Sequence, residues 1–241
     1  MSALDKLSLV IPTRSEERNW MTLLSDLRSL PDSTEIIIVG PDLHSTQTFE
    51  SSVAVGPKVI FCNSKLGRAE QLNTGASAAT GKFIWFLHGD SRVPSESISA
   101  LNITLESNSK VALYYFHLRF LKDGPKLMIL NEIGANLRSS LFDLPFGDQG
   151  FCIERSVFNK LGGFDEDVRY GEDHLFVWSC KKSKILISPI NAVIFTSARK
   201  YQELGWLKTS LSHIFLTVFQ ALEVLIGRVR SSRNKFKLEP K

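Results

Sequence analysis

Gly67-Arg68-Ala69-Glu70-Gln71-Leu72-Asn73-Thr74-Gly75-Ala76-Ser77-Ala78-Ala79-Thr80-Gly81-Lys82-Phe83-Ile84-Trp85-Phe86-Leu87-His88-Gly89-Asp90-Ser91 is the stretch that decides the fold. It opens as a small-residue helix, and Gly81 stops it. Phe83 to Leu87 then form an apolar strand, which releases a lone carboxylate, Asp90, beside His88 and Gly89. In open α/β sheets, ligands sit beyond the carboxyl ends of the strands. A carboxylate there is placed to hold a divalent metal. Acids at strand ends also serve as turn or cap residues, and the stretch alone leaves both uses open.

Working outward, strand and helix patterns alternate. Leu7–Ile11 is an apolar run closed by Pro12, and residues 15–30 set Trp20, Leu23, Leu24, Leu27 and Leu30 at helical spacing. Glu35–Val39 and Lys58–Phe61 are two further strands. Strands separated by helices imply a parallel sheet with right-handed crossovers. Continuously apolar strands imply helices on both faces. The second half is less regular. Val111–Leu121 is a long aromatic strand, and Lys126–Leu141 is a helix expected to turn Leu127, Leu130, Ile133 and Leu137 inward. A glycine-rich turn and short strand over 146–153, helices over 156–161 and 173–182, and strands at 185–187 and 192–195 follow.

Residues 205–226 carry Leu207, Leu211, Ile214, Val218, Leu222 and Leu225 at three- and four-residue steps, an amphipathic helix. Lys208, His213, Gln220 and Glu223 would sit in hydrocarbon if it crossed a bilayer. Two readings stay open: packing on the sheet or on a second subunit as a homodimer, or lying in a membrane interface with the basic residues from Arg228 to Lys237 near anionic headgroups. The domain reading is 1–204 for the α/β unit and 205–241 for the helix and basic tail.

The 241 residues are 43% hydrophobic, enough for one substantial α/β core. A net charge of +4 is too small to call for nucleic acid and suits an anionic substrate or membrane surface. Cys62, Cys152 and Cys180 are sparse and lack metal-ligand spacing, as for reduced thiols. Residues 1–11 lack a signal-peptide pattern, so the expectation is a cytoplasmic catalytic part, peripheral on the inner face of the plasma membrane if the helix docks there.

Residues 67–76 and Leu87-His88-Gly89-Asp90-Ser91 resemble family 2 glycosyltransferases, above all the transferase 2 subgroup found near radical-SAM and selenium-domain genes. The resemblance runs from about residue 7 to about residue 210. It implies a GT-A (Rossmann-like) fold: a mixed, mainly parallel sheet flanked by helices, here with a C-terminal amphipathic helix. It also implies an inverting, metal-dependent transfer of sugar from a nucleotide-sugar donor to an acceptor hydroxyl. Docking of the C-terminal helix on a membrane would suit a lipid-linked acceptor, with a soluble acceptor as the other option. Asp90 would be the contact to Mn or Mg, since His88 stands at the family's first Asp.

By the same resemblance, Pro12, Thr13 and Glu16 line the nucleotide pocket. Arg68 meets the diphosphate at a helix start, where anions are favoured. Asn73 and Gln149 are further donor-side positions, with packing or capping as the alternative for Asn73, and Asp148 is a contact to donor sugar or acceptor. Gly40 replaces the family's base-contacting Asp, and Asp42 is the substitute two residues on. Arg155-Ser156-Val157-Phe158-Asn159-Lys160-Leu161-Gly162-Gly163-Phe164 matches the acceptor-side turn, and Glu172-Asp173 follows it. Asp173 is expected as the base that takes the acceptor's proton, with Glu172 as the alternative. Arg199, in Thr196-Ser197-Ala198-Arg199, would close over the diphosphate. Two competing readings are a nucleotidyltransferase, disfavoured because no glycine-rich lysine loop follows the first strand, and a non-catalytic nucleotide-sugar-binding protein, supported by Gly40.

Overall fold

The computed structural model describes residues 2–14, 18–41, 43, 56–107, 110–168 and 170–225. A seven-stranded sheet forms the centre: β1 (Leu7–Pro12), β2 (Glu35–Gly40), β3 (Lys58–Asn63), β4 (Phe83–Phe86), β5 (Ala112–Phe120), β6 (Cys152–Glu154) and β7 (Leu186–Thr196). The spatial order is β3-β2-β1-β4-β6-β5-β7. β6 runs antiparallel to β4 and β5, and every other pairing is parallel. The two short strands expected at 185–187 and 192–195 are one strand, β7, whose register against β5 shifts between Phe116 and His117.

Apolar strands pack on both faces, as their composition requires. On one face Leu9 and Ile11 meet α1 (Trp20–Asp26), and Leu101 and Leu105 come from α3 (Ser95–Ser107), a helix the pattern reading did not assign. On the other face Val10 and Val39 pack with Leu72 and Ala76 of α2 (Arg68–Ala78), Phe158 of α5 (Arg155–Leu161) and Phe176 of α6 (Glu172–Lys182). Gly75 lets α2 approach closely, because a methyl group there would run into Val10.

The helix expected over 126–141 is α4 (Met128–Phe142), but it faces the opposite way. Leu127, Leu130, Ile133 and Leu137, expected inward, are 49%, 53%, 49% and 53% exposed. The cause lies in β5, which pairs with β6 only at Leu113 and Tyr114. Beyond them the β5 edge has unpaired backbone groups, and buried or edge N–H and C=O groups need partners. α4 supplies them from its polar face. Asn136 accepts from the Leu118 N–H and donates to the Leu118 carbonyl, both at 2.9 Å, and Glu132 accepts from the Phe120 N–H at 3.3 Å. Helical i, i+4 spacing thus serves a strand's period of two. The apolar row is left outside.

The chain ends its described part in α7 (Arg199–Leu204) and α8 (Trp206–Leu225), in line with the helix expected over 205–226. α8 also docks by polar residues. Trp206 Nε1 donates to Asn131 Oδ1 at 2.6 Å, Asn131 donates to the Ser210 hydroxyl at 2.9 Å, and Gln220 donates to the Tyr170 carbonyl at 2.8 Å. No described helix is long and apolar enough to cross a membrane.

Candidate active site

The carboxyl ends of β1, β2 and β4 lie together, and the turn that precedes antiparallel β6 joins them there. The Thr13 N–H donates to the Val39 carbonyl at 2.8 Å, and Gln71 Nε2 bridges the Thr13 and Val39 carbonyls at 2.6 and 3.2 Å. Pro12 and Thr13 therefore form a fixed rim. A Cβ at Gly40 would come within 2.7 Å of the Thr13 carbonyl, so the backbone as it runs here has no room for a side chain. Glu16 and Asp42 lie outside the described residues.

Arg68 is the first residue of α2 and reaches across to two elements. Its Nε lies 3.1 Å from Glu172 Oε1 at the start of α6. Its Nη2 contacts the His88 ring. Enclosure of the ring and the adjacent guanidinium hold His88 well below its usual pKa, so it stands neutral and accepts from Arg68. Asp90 is half-buried two residues further, past Gly89, where an added methyl would meet only ordinary contacts.

Glu172 and Asp173 share one helix start but not one environment. Glu172 is buried, and enclosure together with the Asp173 charge raises its pKa while Arg68 opposes. Asp173 is less enclosed. Its Oδ2 accepts from the Gly147 N–H at 2.7 Å and its Oδ1 from the His174 N–H at 2.8 Å. A carboxylate offers about four lone-pair sites, so capacity remains for a hydroxyl. Gly171, at φ 77°, starts this turn, and Gln220 of α8 packs against it. Gln220 Oε1 also lies 3.1 Å from His174 Nδ1.

Asp148 sits in the Gly147–Gln149 turn, and its Oδ1 is shut away without a hydrogen-bond partner. Enclosure pushes its pKa up to about 6; Asp173 and Asp90 add to the rise, and Arg138 and Arg68 oppose it. Arg138 of α4 is a cation that the motifs did not point to. Its Nε donates to the Leu144 carbonyl at 2.7 Å, and its guanidinium lies 3.4 Å from the Phe146 ring centre. The signal available was its isolation as the lone charge between Glu132 and Asp143.

Arg68, His88, Asp90, Asp148, Glu172 and Asp173 thus form one electrostatic neighbourhood. Three other expected residues are engaged elsewhere. Asn73 is spent on the 163–166 turn: it accepts from the Phe164 N–H at 2.9 Å and donates to the Phe164 carbonyl and to Glu166 Oε1, both at 2.8 Å. Gln149 donates to the Phe116 carbonyl at 3.0 Å and accepts from Ser139 at 2.8 Å, bracing β5. Arg199 is exposed at the start of α7, bonded to Ser197 at 3.0 Å and 3.8 Å from Asp123.

No cluster of three metal-ligating side chains occurs among the described residues. Asp90 and the unpartnered Asp148 oxygen, whose carboxylates oppose each other electrostatically, nonetheless fit a cation that takes one or two protein carboxylates and completes its shell with phosphate oxygens and water.

The family profile described as Glycosyl transferase family 2 matches residues 8–161, so the chain belongs to that family of glycosyltransferases. Similar solved structures include the mannosyltransferase PcManGT from Pyrobaculum calidifontis in complex with GDP-Man and Mn2+, with a TM-score of 0.63 and 16% identity over 90% of this chain and 64% of that one. The S. aureus TarS fragment 1–349 in complex with UDP-GlcNAc gives 0.60 and 18% over 80% of this chain and 59% of that one. Glucosyl-3-phosphoglycerate synthase from Mycobacterium tuberculosis, in complex with Mn2+, UDP and phosphoglyceric acid, gives 0.57 and 19% over 83% and 73%. At these identities the likeness is one of fold. No curated protein matches the chain. The chain spans about 60% of the TarS fragment it matches.

Proposed function

We propose that the protein transfers a sugar from a nucleotide-sugar donor to an acceptor hydroxyl with inversion, using Asp173 as the base. The observation that carries this reading is the hydrogen bond from the Gly147 N–H to Asp173. It joins the base to the turn bearing Asp148, next to Asp90 and Arg68. Asp173 takes the acceptor's proton; the acceptor oxygen attacks the anomeric carbon from the face opposite the diphosphate; the bond to the diphosphate breaks and its electrons go to the phosphate oxygen. Arg68, at a helix start, faces that charge. Burial and the Arg68 pair favour Glu172 as a positioning group rather than the base.

A divalent cation, Mn or Mg, held by Asp90 with Asp148 near it, would supply charge neutralisation at the diphosphate. Both PcManGT and the mycobacterial synthase hold Mn2+ in their structures. Pro12 and Thr13 support the nucleotide, with Glu16 and Asp42 as its further contacts. Residues 1–204 form the catalytic unit and 205–241 an appended segment. The acceptor is lipid-linked, the protein is cytoplasmic and peripheral to the plasma membrane, and it belongs with the subgroup named above.

The test is release of nucleoside diphosphate from UDP-GlcNAc, UDP-glucose or GDP-mannose with Mn2+, comparing wild type and Asp173→Asn. Release by the wild type and its loss in the variant support the reading. No release from any donor, or equal release by both, removes it.

A further inference from the structure

Two helices of this fold are inside out. α4 turns Asn131, Glu132, Asn136 and Ser139 toward its neighbours, and its described exposed residues include Leu130, Ile133 and Leu137 with no charge among them. α8 buries Thr209 and Ser210 and turns Leu211, Phe215 and Val218 outward. Among the described exposed residues of both helices, Lys208 is the sole charge. A helix in water does the reverse, and monomeric proteins rarely expose apolar patches of such extent. The β5 edge explains why α4 needs its polar face inside. Nothing within the described fold covers what that leaves outside.

The borders of these rows carry more basic than acidic residues, the exposed acids there including Asp143 after α4 and Glu203 before α8. Lys126 precedes α4, Lys208 lies between Leu207 and Leu211, and Lys181 of α6 donates to the Phe142 carbonyl at the far end of α4 at 2.6 Å. Residues 226–241 add six basic residues against one acid, Glu239. A second copy docking on the same face would set one net basic border against another. An anionic lipid monolayer offers both the apolar phase and the opposite charge.

We infer that the outward rows of α4 and α8 together form a docking face for an anionic lipid monolayer, with α4 contributing as much as α8. The two helices meet at Asn131, which binds both Trp206 and Ser210. Each also reaches the catalytic neighbourhood: α4 through Arg138 beside Asp148, and α8 through Gln220 beside His174. Seated on this face, the protein opens Asp173 close to the lipid surface. The inference deepens the lipid-linked-acceptor reading and rests on it for that last step only.

The test is flotation of the full chain with vesicles of phosphatidylcholine alone or mixed with phosphatidylglycerol. Wild type floats with the anionic vesicles, and raised salt weakens the binding. Leu130→Ser/Ile133→Ser/Leu137→Ser lowers the bound fraction at least about tenfold, while Ile103→Ser, an equally exposed change on α3, does not. Calorimetry with UDP and Mn2+ on the same proteins shows whether the donor site is intact, so loss of docking and failure of the transferase reading are told apart. Hydrogen exchange of wild type adds a readout that needs no variant: anionic vesicles slow exchange across 127–142. Equal flotation of the triple variant, no flotation of wild type, unchanged exchange in 127–142, or a wild-type dimer that the triple variant dissociates while flotation is absent would each overturn the inference.

Discussion

Asp173 accepts the backbone N–H of Gly147 at 2.7 Å, and this bond ties the first turn of α6 to the glycine turn that carries Asp148. A Cβ at Gly147 would lie 3.0 Å from Asp173 Oδ2, so the approach depends on glycine. The donors at Gly147 and His174 hold the carboxylate in one orientation, and its remaining lone pairs leave capacity for an incoming hydroxyl.

Asp173→Asn is expected to lower turnover by about a hundredfold or more while nucleoside diphosphate affinity stays as in wild type. Glu172→Gln is expected to do the opposite, because it releases Arg68 and so weakens donor binding more than turnover. Steady-state kinetics with calorimetry on both variants separates the roles. The reverse pattern makes Glu172 the base.

Arg68→Met removes a charge-assisted contact to the diphosphate and is expected to weaken UDP or GDP binding at least tenfold, about 1.4 kcal/mol. The His88 pKa should rise at the same time, since the guanidinium is one of the two causes holding it down. NMR titration of the His88 ring checks the second effect independently of any ligand.

Asp148→Asn is expected to stabilise the metal-free fold at neutral pH while impairing transfer. The folded carboxyl titrates at about 6 against an unfolded value of 3.8, so between these values the folded state holds the extra proton. Its contribution is therefore fully present below about pH 4 and is lost as pH rises through about 6. The cost at neutral pH is on the order of 3 kcal/mol. Thermal unfolding in chelator should show a higher Tm for the variant at pH 7 and little difference at pH 4. A lower Tm at pH 7 contradicts the electrostatic account.

Asn73→Ala strips the Phe164 N–H and carbonyl of their partners and is expected to cost about 2 kcal/mol of stability. Gly163, at φ 73°, leaves room for this contact, since a Cβ there would lie 2.7 Å from Asn73 Oδ1. Donor affinity measured on the folded variant should match wild type. A large loss of affinity at unchanged Tm returns Asn73 to the donor site.

The sheet was legible because its strands are unbroken apolar runs ended by Pro12, Gly40 and the 88–91 turn, and a two-sided sheet follows from that composition. The grouping of Arg68, Asp90 and Glu172-Asp173 was legible from spacing and resemblance. Orientation was not. Periodicity shows that α4 has two faces but not which one the fold needs inside, and the answer came from the open β5 edge, which pairs with β6 at only two residues. α3 was missed although Ile98, Leu101 and Leu105 lie buried at helical spacing, since Ser and Asn dilute its pattern. Arg138 and the turn-binding role of Asn73 depend on partners distant in sequence, which one-dimensional spacing does not reveal.

The central claim is that these strand ends bind a nucleotide sugar through a metal at Asp90. Calorimetric titration of wild type and Asp90→Asn with UDP-GlcNAc, UDP-glucose and GDP-mannose, each with Mn2+ and with chelator, tests it most directly. The account predicts saturable binding of at least one donor by wild type with Mn2+, weakened at least about tenfold by chelator and by Asp90→Asn. No binding of any donor, or equal affinity in chelator and in Asp90→Asn, would contradict it.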